Sequence, residues 1–360
     1  MAWSFQIGNV FGIPLRLHIT FLLLLLLIAF SPGDRFGGGG LLGVLFVVVL
    51  FACVVIHELS HSLVARRYGI PVREIVLLPI GGVAMMERMP DDPRQELHVA
   101  IAGPAASIAV AIVLGAVAFS LYGGGPLLHP MQQSLSSFLG RIAWVNILLA
   151  LFNLLPAFPA DGGRVLRSLL AMRMDYARAT HVAATVGQAF AIILGFLGLF
   201  MNLWWLLIAV FLFLGATSED TQVQLRSALA GVPARAAMVS EFRSLDKDET
   251  LYEAFAHASR SYQHDFPVTD DGRLVGLVTR QALISGMHEL GGDATVAEVM
   301  LKGPCAVGPE ESLAQLYDRI AGGSCPVAAV MAGDTLLGLV TPDSVNQYLM
   351  AVSIQPPGKR

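Results

Sequence analysis

Residues 57–61 read His-Glu-Leu-Ser-His. On a helix the two imidazoles, four positions apart, share a face and can reach one metal ion. Glu58 lies one position round, within reach of a water held by that ion. A metal so placed acidifies water and polarises a carbonyl while the neighbouring carboxylate takes the proton, so the pattern is one of metal-assisted hydrolysis. The surroundings separate it from a chance match: it ends the apolar run Val47–Ile56. Ionisable groups inside a membrane-length helix cost several kcal/mol each unless paired or ligated, and here three stand within five residues.

Two imidazoles leave a catalytic zinc site one protein ligand short. The third should be a carboxylate or His at membrane depth on another span. Asp91, Asp92 and Glu96 fall in a stretch rich in charge and proline, and Glu74 and Asp175 neighbour arginines, so all five read as solvated. Asp161 differs. It closes the stretch Asn153-Leu-Leu-Pro156-Ala-Phe-Pro159-Ala and is followed by Gly162-Gly163. Prolines and glycines there break the helix, free backbone groups and let a carboxylate turn inward.

The elements that must position these groups are membrane helices. The 360-residue chain is 55% hydrophobic with a mean hydropathy of +0.64. Residues 1–217 hold 12 Arg, no Lys and 9 acids, whereas residues 218–360 hold 11 basic and 18 acidic groups. An oily half precedes an ordinary soluble half, which excludes a disordered protein and a wholly soluble enzyme. No basic stripe exists to neutralise phosphates, which argues against a nucleic-acid partner. Apolar runs near residues 17–32, 40–65, 97–122, 137–156, 180–201 and 203–217 predict six spans. The last two form a hairpin at Met201-Asn202, with Trp204 and Trp205 at an interface. Arginines cluster after the second and fourth spans, while the alternate connections carry only Arg35. The positive-inside bias therefore places both termini in the cytoplasm of a multi-pass cell-membrane protein. The run Ile75–Met86 is too short to span and predicts a re-entrant β-hairpin turning at Gly81-Gly82. Gly103, Ala105, Ala106 and Ser107 read as close helix packing without chemistry. Cys53, Cys305 and Cys325 lack C-x-x-C spacing and read as buried free thiols in a reducing compartment.

His-Glu-Leu-Ser-His on one span, followed about a hundred residues later by the N-x-x-P-x-x-P-x-D-G pattern of residues 153–162, resembles the site-2 protease family of intramembrane zinc metalloproteases. The likeness covers most of residues 1–217, and the N-terminal stretch Ser4–His18 resembles members with C-terminal regulatory domains. It implies His57, His61 and Asp161 as ligands of one zinc ion and Glu58 as general base. It also implies that Asn153 helps hold substrate or the developing oxyanion. The hairpin resembles the family's re-entrant element, and Ser107 stands where Asn is common. The implied substrate is a transmembrane or membrane-apposed protein. Its helix must unwind before attack, and a hairpin edge could hold it extended.

The soluble half repeats itself at an offset of 62: Met238 with Met300, Leu251 with Leu313, and Gly276-Leu-Val-Thr279 with Gly338-Leu-Val-Thr341. This resembles a pair of CBS motifs, at residues 235–290 and 296–350. The resemblance implies an adenine nucleotide in the cleft between them, with Thr279, Thr341 and Asp343 as contacts. The family's ribose-binding acid stands three residues after the strand-ending Thr; here those positions are Ala282 and Ser344, with Asp343 one residue early. A structural or homodimerising pair is the alternative. The expected architecture is an α-helical polytopic membrane domain (1–217), a linker (218–234), a soluble α/β CBS pair (235–350) and a tail (351–360). A CBS-gated ion or solute transporter and a catalytically silent relative are the rival functions. The transporter would need its acids repeated down a pore, and no inverted repeat is visible.

Overall fold

A helix that is apolar on every face needs an apolar solvent. The long helices of the first half are of this kind in the computed structural model, which describes residues 3–30, 40–79, 81–86, 90, 92–124 and 135–354. Arg35, Arg88 and Asp91, and most of the 351–360 tail, fall outside those residues. Helices α1 (Ile19–Ala29), α2 (Leu41–Arg67), α3 (Pro93–Tyr122), α4 (Leu135–Asn153), α5 (Asp161–Ala171), α6 (Tyr176–Met201) and α7 (Leu203–Leu229) follow in order. Among the described residues, α2, α3, α6 and α7 are long and apolar enough to cross a membrane, and α1 and α4 are shorter apolar helices. The six expected runs are thus each helical over most of their described residues, and four of the described helices have spanning length. The first is short because its start is strand: residues up to His18 pair in a sheet, and the His18 side chain then caps α1 by accepting from the Thr20 amide.

Packing follows residue size. On α6, Ala183, Ala184, Gly187, Ala191, Gly195 and Gly198 are buried, while Ile192, Ile193, Phe196 and Phe200 stay exposed. Small residues face protein and large apolar ones face outward, as expected where lipid is the solvent. The α6–α7 hairpin turns at Asn202, whose side chain accepts from the Trp204 amide, leaving Trp204 and Trp205 exposed.

The predicted hairpin is present, as part of a four-stranded sheet ordered β1 (Ser4–Val10), β2 (Ile13–His18), β3 (Val72–Leu78), β4 (Gly81–Met86). Strands β1 and β2 form an antiparallel hairpin around Phe11 and Gly12, both at positive φ; β2 and β3 are parallel, β3 and β4 antiparallel. Leu78 pairs with Gly81, so Gly81-Gly82 open β4 instead of making the turn. Ile13, Leu17, Ile75 and Leu77 pack from this sheet onto Phe21 of α1 and Phe51 of α2, which ties it to the helix carrying the histidines. Glu74, expected in water, is half-buried and paired with Arg16 at 3.3 Å.

The chain forms two compact units, residues 1–223 and 224–360. Residues 218–229, expected as a linker, continue α7. In the second unit the first copy comprises β5 (Leu245–Asp246), α8 (Leu251–Ser259), β6 (Asp265–Asp270), β7 (Arg273–Thr279) and α9 (Arg280–Leu290). A short helix, α10 (Val296–Val299), and β8 (Leu301–Lys302) lead into the second copy: β9 (Cys305–Val307), α11 (Leu313–Ala321), β10 (Ala328–Ala332), β11 (Thr335–Val340) and α12 (Pro342–Ile354). Both hairpins carry a bulge at the same place, after Val268 and after Val330. The opening segments are exchanged: Met238 packs on Gly338 of the second copy, and Met300 on Gly276 of the first. Cys305 and Cys325 are joined in a disulfide, contrary to the free thiols expected; Cys53 is free and buried. Parallel pairing of β9 with β10 places Cys305 opposite Ala328, three residues past Cys325, a proximity that linear spacing does not announce.

Candidate metal centre

Helix α2 presents His57 and His61 on one face, 3% and 5% exposed. His61 Nδ1 lies 2.6 Å from the Val99 carbonyl of α3, and His57 Nδ1 lies 2.9 Å from Ser107 Oγ of the same helix. A carbonyl only accepts, so His61 donates through Nδ1 and its Nε2 carries a lone pair when the ring is neutral. Both Nδ1 atoms are engaged with α3, and both Nε2 atoms point to one spot, 3.2 Å apart.

Asp161 joins them there. It opens α5 and is half-buried, with Oδ2 3.2 Å from His57 Nε2 and 3.1 Å from His61 Nε2. The glycines behind it explain why α5 can begin so close to the preceding turn. A Cβ on Gly162 would overlap the Leu154 and Leu155 carbonyls, and one on Gly163 would come within 2.7 Å of the Phe158 nitrogen.

The donor set fits a metal. His57, His61 and Asp161 each offer one ligand atom, all within 4.8 Å of one another. The Asp161 oxygen and His61 Nε2 both present electron pairs, and His57 Nε2 does the same when Ser107 Oγ accepts from Nδ1, so the three atoms can share one cation. Zinc bonds of about 2.0–2.2 Å in tetrahedral array put neighbouring ligand atoms roughly 3.3–3.6 Å apart, a few tenths of an ångström beyond the observed 3.1–3.2 Å.

Glu58 is half-buried beside the triad, with His57, His61, Asp161 and Arg164 as its charged neighbours. It lies against β4: a Cβ on Gly82 would stand 2.6 Å from Glu58 Cγ. Asn153 ends α4, and its amide donates to the Leu149 carbonyl at 3.0 Å, inside its own helix. Thr279 accepts from the Ala282 amide and Thr341 from the Ser344 amide, so each hydroxyl caps the helix that follows it; Asp343 lies in the first turn of α12.

Three site residues were missed in the sequence. Ser107 and the Val99 carbonyl orient the imidazoles, and a Cβ on Gly103 would overlap both Nε2 atoms, so two of the small residues read as packing, Gly103 and Ser107, form the back wall of the centre. Their spacing along α3, at 99, 103 and 107, was the available signal. Glu96 was misplaced as well. It is 1% exposed and bound to Arg167, because the helix capped by Asp92 begins earlier than the apolar run and carries Glu96 inward.

Comparison with known proteins gives the chain its family. The family model described as Peptidase family M50 matches residues 45–132 and 124–194, and a CBS domain model matches residues 234–289. A zinc metalloprotease of Methanocaldococcus jannaschii is 33% identical over 358 residues, 98% of this chain and 97% of the relative. Stage IV sporulation protein FB of Bacillus subtilis is 28% identical over 150 residues, 41% of this chain and 48% of that protein. Among solved structures, a site-2 protease from Methanocaldococcus jannaschii is 37% identical with a TM-score of 0.45, covering 61% of this chain and 95% of that one. The chain belongs to peptidase family M50, the site-2 proteases, as an intramembrane zinc metallopeptidase carrying a CBS domain.

Proposed function

We propose that the chain is an endopeptidase cutting internal peptide bonds of a transmembrane or membrane-apposed protein. His57, His61 and Asp161 hold one zinc ion per chain and Glu58 serves as general base. The observation that carries this reading is the meeting of two imidazole Nε2 atoms and a carboxylate oxygen at 3.1–3.2 Å, with both Nδ1 atoms already engaged elsewhere. When bound, zinc polarises the scissile carbonyl and brings water to nucleophilic strength near neutral pH. Glu58 takes the proton of the attacking water and returns it to the departing amine. Gly103 keeps the rear of the centre clear, and Gly82 lets β4 approach Glu58.

The peptide bond to be cut must first leave its helix. Strand β4 is an edge of the four-stranded sheet and lies against the base, so an unwound substrate segment added along it would reach Glu58 extended. Asn153, at the end of α4, turns its amide from Leu149 toward the substrate or the developing oxyanion. The arginine distribution supports cytoplasmic termini and a cytoplasmic soluble unit. That unit modulates cleavage, by binding an adenine nucleotide near Thr279, Thr341 and Asp343 or by pairing with a second copy.

Glu58→Gln tests the central claim. Proteolysis of a transmembrane substrate should fall by about 10²–10⁴-fold while zinc content stays at one per chain; near wild-type cleavage removes Glu58 from the mechanism. Mass spectrometry of the products should show an internal cut. Calorimetric titration of the full chain with ATP and AMP should show binding that is lost in Thr279→Ala; no heat with either nucleotide leaves the dimer role.

A further inference from the structure

Arg167 of α5 is wholly buried, and every side of its guanidinium is occupied. Nε and Nη2 donate to Glu96 Oε1 at 2.9 and 2.5 Å, and Nη1 donates to Glu219 Oε1 at 2.5 Å. The Phe158 and Tyr176 rings cover it, each centroid 5.0 Å from Cζ. Helices α3, α5, α6 and α7 and the segment ahead of α5 thus meet on one cation.

The place of Glu96 on α3 gives the cluster a further meaning. At 3.6 residues per turn, positions 96, 99, 103 and 107 fall along one stripe of a helix. The other three are the residues that touch the imidazoles: the Val99 carbonyl on His61, Gly103 against both Nε2 atoms, and Ser107 on His57. Arg167 lies fewer than two turns from Asp161 on α5. One face of α3 therefore orients two ligands directly and grips, through Glu96 and Arg167, the helix that carries the third.

We propose that Arg167, together with Glu96, is a positioning residue of the metal centre, registering α5 on the stripe of α3 that orients His57 and His61. Asp161 then meets both imidazoles at ligand distance. An arginine is required because its planar fork serves Glu96 and Glu219 in fixed directions, where a lysine is a single point charge. The inference rests on the ligand set proposed above. The competing explanation is that Arg167 only neutralises Glu96 and Glu219, in which case R167K, which keeps the charge, should leave the centre intact.

The test uses the full-length protein in detergent, comparing wild type, R167M/E96Q, R167K and D161N. The readouts are zinc retention against a competing chelator, kcat and KM on a transmembrane substrate, and folding by gel filtration and thermal unfolding. The folded R167M/E96Q protein should hold zinc roughly 10–100-fold more weakly, the range for groups that orient ligands, with kcat reduced and KM unchanged. R167K should move the same way by less. Zinc affinity and kcat within about twofold of wild type in either R167M/E96Q or R167K overturn the proposal. D161N with wild-type zinc affinity sinks the ligand set instead, which keeps the two failures apart.

Discussion

Among the described residues, two clusters of buried ionisable groups stand out in the membrane unit, with residues of the same short helix, Asp161 and Arg167, in one each. Around Arg167 the chain supplies its own cation: Glu96 and Glu219 both accept from it, and two aromatic rings cover it. Around Asp161, the ion pairs among the described residues are with two imidazoles whose other nitrogens are already engaged with α3. The first cluster is electrostatically closed and the second is open to a metal. Burial of an acid in an apolar setting is therefore not itself a mark of catalysis; what distinguishes a site is that the protein leaves the charge for something else to balance.

The contrast has measurable consequences. Asp161→Asn should bring proteolysis to background and abolish tight zinc retention, yet the metal-free variant should unfold at no lower temperature than metal-free wild type. A marked drop would mean that the triad is held by its own ion pairs, and the distinction between the clusters would collapse. Arg167→Met alone should differ by also costing about 3–5 kcal/mol of stability, because it leaves Glu96 buried without its cation; denaturant unfolding in micelles reads this. Ser107→Ala should weaken zinc retention roughly 10–100-fold through loss of the group orienting His57, with little change in unfolding.

The soluble unit supplies a third case, the half-buried acid Asp265. Burial in β6 raises the Asp265 carboxyl above its ordinary value, and the neighbouring Asp343 adds to the rise, with His264 opposing it. With the folded value raised, ionisation costs stability as pH climbs through the ordinary Asp range, and the penalty is complete above the raised value. Asp265→Asn should therefore raise the unfolding temperature of this unit at neutral pH and leave it unchanged below the ordinary Asp range. An equal effect at both pH values would assign it to packing.

Much of this was legible beforehand because it rests on local rules. Apolar length marks spans, His spacing of four marks a shared helical face, and Pro156, Pro159 and the paired glycines mark the break that turns Asp161 inward. The misreadings share one cause. Glu96 looked solvated beside Asp91 and Asp92, Ser107 looked like a packing residue, and Cys305 and Cys325 looked free. The fate of each depends on a partner 20 to 71 residues away, at Arg167, His57 or the other cysteine.

By itself, the sequence determined that the chain has an oily and a soluble half, that the soluble half is duplicated, and which three side chains could share a metal. Those follow from composition and from the periodicity of helices and strands, which neighbouring residues decide among themselves. Only the tertiary structure decided that α3 holds both imidazoles by one stripe, that Gly82 brings an edge strand to Glu58, and that one buried arginine joins the helix of Asp161 to that stripe. A side chain's charge is written in its formula, but whether that charge is balanced depends on which helices pack together.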